Sequence, residues 1–251
     1  MPVHDDSRPV LAMILARVVE CVRQGSMPVV VYDLDSTLFN TGGRNKAIFL
    51  SFCDDYCHKF PALADFGERA DEVAGSWNIV EQLQSMGFEE REGLNELRGY
   101  WADRFFTDQW LGHDFPYAGA AHFVRESHAR GSFVYYMTGR HVNGMHLGTV
   151  DNLVRDSFPC FESRVSIHLK PSFEMADHKF KRAALEGVRS MYGQVVATFE
   201  NEPGNSNLFL EHFPTAINVL VDTVHSPNAP QPEPGVYVIP DFSPGTDWTR
   251  F

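Results

Sequence analysis

The sequence predicts an α/β protein built on a mostly parallel sheet and carrying an inserted block of helices. An uncharged run, Val29-Val30-Val31-Tyr32, stops at two carboxylates, Asp33 and Asp35. That is the pattern of a strand buried on both faces that reaches a ligand site at its carboxyl end. From about residue 115 onward, short β-branched and aromatic runs alternate with helical patterns, which implies parallel strands joined by crossover helices. Between these regions, residues 44–114 hold no strand-like run.

The elements follow in order. Leu11, Ile14, Leu15, Val18, Val19 and Val22 recur at helical spacing, and Gly25 is placed to stop that helix. The strand at Val29 comes next. Segments 46–60, 70–86 and 94–111 read as helices separated by Pro61, Gly67, Gly87 and Gly112. Beyond them the pattern predicts a helix over 119–131 and a strand from Phe133 to Met137. A helix over 143–154, a strand over 163–169, a helix over 177–191 and a strand over 194–199 follow. A short helix over 206–212 and a strand over 217–221 complete a Rossmann-like core. The proline-rich tail, 225–244, reads as extended chain around one strand-like run at 235–239, adding an edge strand. The expected organisation is a core of 1–40 and 115–251 interrupted by a helical domain of 41–114.

Composition narrows the function. With 251 residues the chain is long enough for a core plus an insert, and its formal charge of −12 argues against a general nucleic-acid or acidic-membrane binder. The stretch 11–22 is interrupted by Arg17 and Glu20 and preceded by His4-Asp5-Asp6, so it reads neither as a signal peptide nor as a membrane span. Of the cysteines, Cys53 and Cys57 lie four apart beside His58, one ligand short of a zinc site. Buried free thiols in a reducing compartment fit better, and a cytoplasmic protein is expected. Nothing in the sequence speaks to oligomeric state.

The chemistry concentrates at strand ends. Asp33-Leu34-Asp35-Ser36-Thr37 leaves two carboxylates that need a cation or hydrogen-bond donors. Read locally, Asp35 and Ser36 would simply cap a turn. An EF-hand would require Gly and Glu where Leu38 and Arg44 stand. Thr138-Gly139-Arg140 closes the next core strand, where Gly139 permits close backbone approach to a ligand and Thr138 would otherwise cap the following helix. Asp177-His178-Lys179-Phe180-Lys181 opens a helix, with Lys170 at the preceding strand end. Phe199-Glu200-Asn201-Glu202-Pro203 ends another apolar strand in acid.

These four segments, in this order, resemble motifs I to IV of the haloacid dehalogenase-like (HAD) superfamily, and the helical block resembles its C1 cap. The resemblance spans residues 29–223. It implies a phosphatase acting on a small phosphorylated metabolite through an aspartyl phosphate on Asp33. Asp35 would serve as acid and then base, and Thr138 with Gly139 would hold phosphoryl oxygens. Lys181 would be the motif III lysine, with Lys170 its rival. Mg²⁺ would be bound by Asp33, the backbone carbonyl of Asp35 and Glu200, the last a departure from the family's aspartate. Arg44 and Arg140 are candidates to bind substrate anion. Other readings are a weakly catalytic HAD-fold protein that binds a phospho-ligand or a partner, a phosphotransferase, and a receiver-type signalling domain, which the long insert disfavours.

Overall fold

The computed structural model describes residues 6–190 and 193–243. Its centre is a six-stranded sheet, parallel at every pairing. In chain order the strands are β1 (Pro28–Tyr32), β4 (Phe133–His141), β5 (Val165–Lys170), β6 (Gln194–Glu200), β7 (Ile217–Val221) and β8 (Val236–Ile239). In space they run β5-β4-β1-β6-β7-β8, so the apolar Val29 run is the inner strand between the two that end at Thr138-Gly139-Arg140 and Glu200. Every residue of β1 is buried, as its lack of alternation requires.

Helices cover both faces. α1 (Arg8–Arg23) and α8 (Ala120–Ala129) pack with Val30, Tyr32 and Phe199 on one side. On the other, α10 (Asp177–Ser190) and α11 (Pro203–His212) pack on Val29, Val31 and Met137. α9 (Val142–Arg155) leads from β4 toward β5. α1 ends where Gly25 takes φ 75°, with the Ser26 and Gly25 amides returning to the carbonyls of Cys21 and Val22. The tail does add an edge strand, since β8 pairs with β7 in parallel. Met191 and Pro244, the last residues of two expected segments, lie outside the described residues.

The insert is helical throughout but more broken than its periodicity suggests. It comprises α2 (Gly42–Tyr56), α3 (Leu63–Gly67), α4 (Ala70–Ala74), α5 (Ile79–Ser85), α6 (Arg91–Phe105) and α7 (Asp108–Leu111). The helix expected over 70–86 is two, because the Asn78 side chain accepts the Val80 and Glu81 amides and starts a new helix after Gly75. That over 94–111 is also two, divided at Phe106 and Thr107. These helices enclose a core of their own, including Ile48, Phe52, Leu63, Leu83 and Leu97. At the junction the chain leaves through β2 (Phe39–Asn40) and returns through β3 (Phe115–Pro116), an antiparallel pair too short to leave a periodic signal.

All four cysteines are free; Cys21 and Cys53 are buried as expected, Cys160 is half-buried and Cys57 is exposed. Among the described residues, no helix is long and apolar enough to cross a membrane.

Candidate active site

The parallel sheet brings the acidic strand ends to one edge. Asp33 follows β1 directly, and its amide donates to the carbonyl of Phe199 on β6, which fixes the two strand ends side by side. Asp33 and Glu200 are both buried. Between them sits Lys181, one turn into α10, because Phe180, Ala184 and Val188 anchor that helix on the sheet. Lys181 Nζ lies 2.9 Å from Asp33 Oδ1 and 2.7 Å from Glu200 Oε2. Of the three lysines weighed for this position, Lys181 is the one at the carboxylates; Lys170 lines the cavity and Lys179 is exposed.

Two further groups hold the carboxylates. Thr37 Oγ1 lies 2.9 Å from Asp33 Oδ2 and 3.1 Å from Asn201 Oδ1. The Glu202 amide donates to Glu200 Oε1 at 3.1 Å. Burial raises the Asp33 pKa, and the nearby Asp177 and Asp35 charges add to this while Lys181 opposes it. Glu200 is pushed up to about 8, first by burial and then by the Asp33 charge, against the pull of Lys181. Burial disfavours the Lys181 ammonium, but Asp33, Glu200 and Asp177 outweigh it and raise its pKa well above the ordinary value.

Asp35 belongs to a second, separate network. Its Oδ1 accepts from Arg140 Nε and Nη2 at 2.9 and 2.6 Å and from Arg44 Nη2 at 3.0 Å. Both arginines also hold Asp114, Arg140 at 2.9 Å and Arg44 through Nε at 2.9 Å with a second contact from Nη2. Asp35 loses some solvation, which alone would raise its pKa, but Arg140 and Arg44 reverse this and lower it to about 2. The expected role for Asp35, acid and then base, needs a proton that the guanidinium groups at its Oδ1 oppose in this state. The two guanidinium groups make it a carboxylate.

Three other expectations change. Arg44 is fully buried and spends its donors on Asp114, Asp35 and the Phe105 carbonyl, so it presents no free anion-binding face. Arg140 borders the cavity, yet its guanidinium is likewise engaged by Asp35 and Asp114. Thr138 is buried with its Oγ1 accepting the Arg140 amide at 3.2 Å, and Gly139, not Thr138, forms the cavity wall. A Cβ at Gly139 would stand 2.4 Å from Asp177 Oδ1, so any larger residue there would push the Asp177 carboxylate aside.

The sequence reading assigned no role to Thr37, Asp177, Asn201 or Asp114. Thr37 and Asn201 belong to the same strand-end segments as Asp33 and Glu200 and are legible there. Asp177 and Lys181 share a helix face at i, i+4 and lie 3.7 Å apart, a spacing visible in the sequence. Asp114, in a loop between short elements, has no local pattern that marks it.

The strand-end carboxylates open on a cavity of about 730 Å³ between the sheet edge and the helical block. Among the described residues no three His, Cys, Asp or Glu side chains already converge as a metal cluster. The donor chemistry nevertheless suits Mg²⁺. Asp33, Asp177 and Glu200 set three carboxylates against one ammonium, and Asp177 Oδ1 is buried without a partner. A hard divalent cation held by Asp33 and Glu200 would add positive charge beside the single ammonium, and Asp177 Oδ1 could face it directly or through water.

No protein-family model and no curated protein matches the chain. Solved structures do. A candidate phosphatase from Clostridium difficile aligns with TM-score 0.56 at 11% identity, over 86% of this chain and 95% of its own. A predicted phosphoglycolate phosphatase from Haemophilus somnus gives 0.53 at 13%, over 86% and 95%. A candidate haloacid dehalogenase-like hydrolase from Bacteroides fragilis gives 0.50 at 11%, over 85% and 97%. The fold is the HAD-like fold.

Proposed function

We propose that this HAD-like chain is a phosphatase that hydrolyses a small phosphomonoester, with Asp33 as the nucleophile. One observation carries the reading. A buried carboxylate at the end of the inner strand is held by Lys181 at 2.9 Å and Thr37 at 2.9 Å, and faces a cavity large enough for a metabolite. Phosphoryl transfer asks little covalent chemistry of a protein beyond a positioned nucleophile and compensation of charge on the transferring group.

The steps follow from these groups. Asp33 attacks phosphorus, and the bond to the substrate alcohol breaks as the carboxyl–phosphate bond forms. Water then attacks that phosphorus, releasing inorganic phosphate and restoring the Asp33 carboxylate. Lys181 offsets the charge on the phosphoryl oxygens, and Gly139, without a side chain, lets them approach the backbone. Mg²⁺, when bound, supplies further neutralisation of those oxygens, and Asp33, Glu200 and the Asp35 backbone carbonyl would hold it. Asp35 is the carboxylate placed to accept the proton of the attacking water, but the arginines that hold its pKa at about 2 make it a weak base until they draw back. Delivering a proton to the leaving alcohol requires the clamp to slacken first. The free thiols fit a reducing, cytoplasmic setting.

Hydrolysis of p-nitrophenyl phosphate tests this. Asp33→Asn abolishes turnover with an unchanged circular dichroism spectrum, and near-normal turnover removes the nucleophile assignment. Chelator abolishes activity and Mg²⁺ restores it; full activity in chelator removes the metal. The arginine clamp also favours a second reading, a phospho-ligand binder with little turnover. Nitrophenolate leaves without a proton and an alkoxide does not, so hydrolysis of p-nitrophenyl phosphate with none of the alkyl esters, 2-phenylethyl phosphate included, favours that reading.

A further inference from the structure

We infer that the substrate's leaving alcohol carries an aromatic ring, which lies against Trp77 under the helical block. The inference rests on the phosphatase reading of the Asp33 site. A cavity of about 730 Å³ is within the range that encloses ligands of many atoms, and a phosphate of two or three carbons would leave most of it to water.

Its roof is aromatic. Trp77, Trp101, Phe105 and Phe106 line it with Ile79 and Val80. Trp101 and Phe105 stack at 4.6 Å between centroids, with Phe106 edge-on to Trp101 at 5.5 Å. Trp77 is 52% exposed although it borders this enclosure. What sets it apart from the other exposed apolar side chains is that it continues the aromatic lining of Trp101, Phe105 and Phe106, so a ring held there would cover it.

Apart from Arg98, the roof's polar side chains spend their oxygens largely on the protein. Asn45 Oδ1 accepts the Trp101 indole N–H at 2.9 Å, and its amide donates to the carbonyls of Ala74 and Ser76 at 3.4 Å each. Asn78 Oδ1 accepts two helix-start amides, and the Ser76 hydroxyl donates to the Val73 carbonyl. A polyol such as a sugar would find its hydroxyls unmatched there, which selects against it more strongly than against a ring. Aromatic walls also attract organic cations, but Arg98 lines the roof with no carboxylate beside it among the described lining residues, and Lys170 lines the facing wall. A neutral or anionic ring meets none of these objections.

The test uses substrate pairs that differ in the ring. The first is 2-phenylethyl phosphate against butyl phosphate; the second is adenosine 5′-monophosphate against ribose 5-phosphate. Assayed with Mg²⁺, the ring-bearing member of at least one pair is expected to have about tenfold or higher kcat/KM, and the pair with the larger ratio says whether the ring is carbocyclic or a nucleobase. Trp77→Ala, at a half-exposed position, is expected to erase that ratio by lowering kcat/KM about tenfold for the ring-bearing member, with butyl phosphate losing less in the same variant. Equal rates within both pairs, or an equal loss for both members in Trp77→Ala, overturns the inference while the phosphatase reading stands. If no phosphate ester is hydrolysed, that reading fails, and calorimetric titration of the Asp33→Asn variant decides the ring separately. Tighter binding of the ring-bearing ester supports it, and equal binding overturns it.

Discussion

Lys181 is the residue on which the site's electrostatics turns, since its ammonium is buried between Asp33 and Glu200 and lies 3.7 Å from Asp177. Removing one member of a buried charge cluster strands the others, typically at about 3–5 kcal/mol. Lys181→Met should therefore destabilise the metal-free protein by about that much at pH 8, measured by denaturant unfolding. At pH 5 the loss should be smaller, because Glu200 and Asp33 both have raised pKa values and can neutralise themselves by taking up protons. A loss of equal size at both pH values would mean that packing of the lysine stem, not its charge, is what matters. The same residue shows how far sequence reaches. Phe180 on the buried face of α10 puts Lys181 at the margin of the core, but only the packed helix distinguishes it from Lys179, which is exposed.

Among elements, the long buried strands were legible and the short junctions were not. β1 announces itself by an uninterrupted apolar run, β6 by a largely apolar one that ends in acid, and α10 by its amphipathic spacing. β2 and β3 have two residues each, which no periodicity can reveal. The break between α4 and α5 depends on the Asn78 cap, a local competition that the helical pattern over 70–86 conceals. The arginine clamp escaped for a different reason: Arg44 on α2, Asp114 before β3, Arg140 on β4 and Asp35 after β1 are brought together by tertiary structure alone. Arg44 and Asp114 flank the two crossings between sheet and helical block, so the quartet ties that junction to Asp35. Asp114→Ala leaves two guanidinium groups sharing one carboxylate and should destabilise by about 3 kcal/mol. Hydrogen exchange should rise first in α2 and α7, ahead of β1. Simultaneous opening of β1 would show that the quartet braces the whole sheet rather than the junction.

Over the whole molecule, a net charge of −12 and a cluster of buried carboxylates combine to make stability depend on pH and on divalent cation together. Glu200 has a folded-state pKa of about 8, above the ordinary glutamate value near 4.5, and Asp33 is shifted in the same direction. A carboxyl group with a raised folded pKa binds its proton more tightly when folded, so its contribution is fully present below the unfolded pKa and is lost as pH rises through the folded one. Lys181, raised from an already high value, stays charged throughout and adds no slope in this window. The metal-free protein should therefore become less stable between pH 5 and pH 8, the reverse of the trend set by ordinary ion-paired carboxylates such as Asp35, whose pKa of about 2 keeps it ionised across the window. Mg²⁺ bound to the ionised forms should raise stability most at pH 8 and flatten the slope, through binding to the folded state alone. Thermal melts at pH 5, 6.5 and 8, in chelator and in excess Mg²⁺, measure both effects without any substrate. A stabilisation by Mg²⁺ that is as large at pH 5 as at pH 8 would place the ion elsewhere on the acidic surface. One that is absent in Glu200→Gln but present in the wild type would assign it to this cluster.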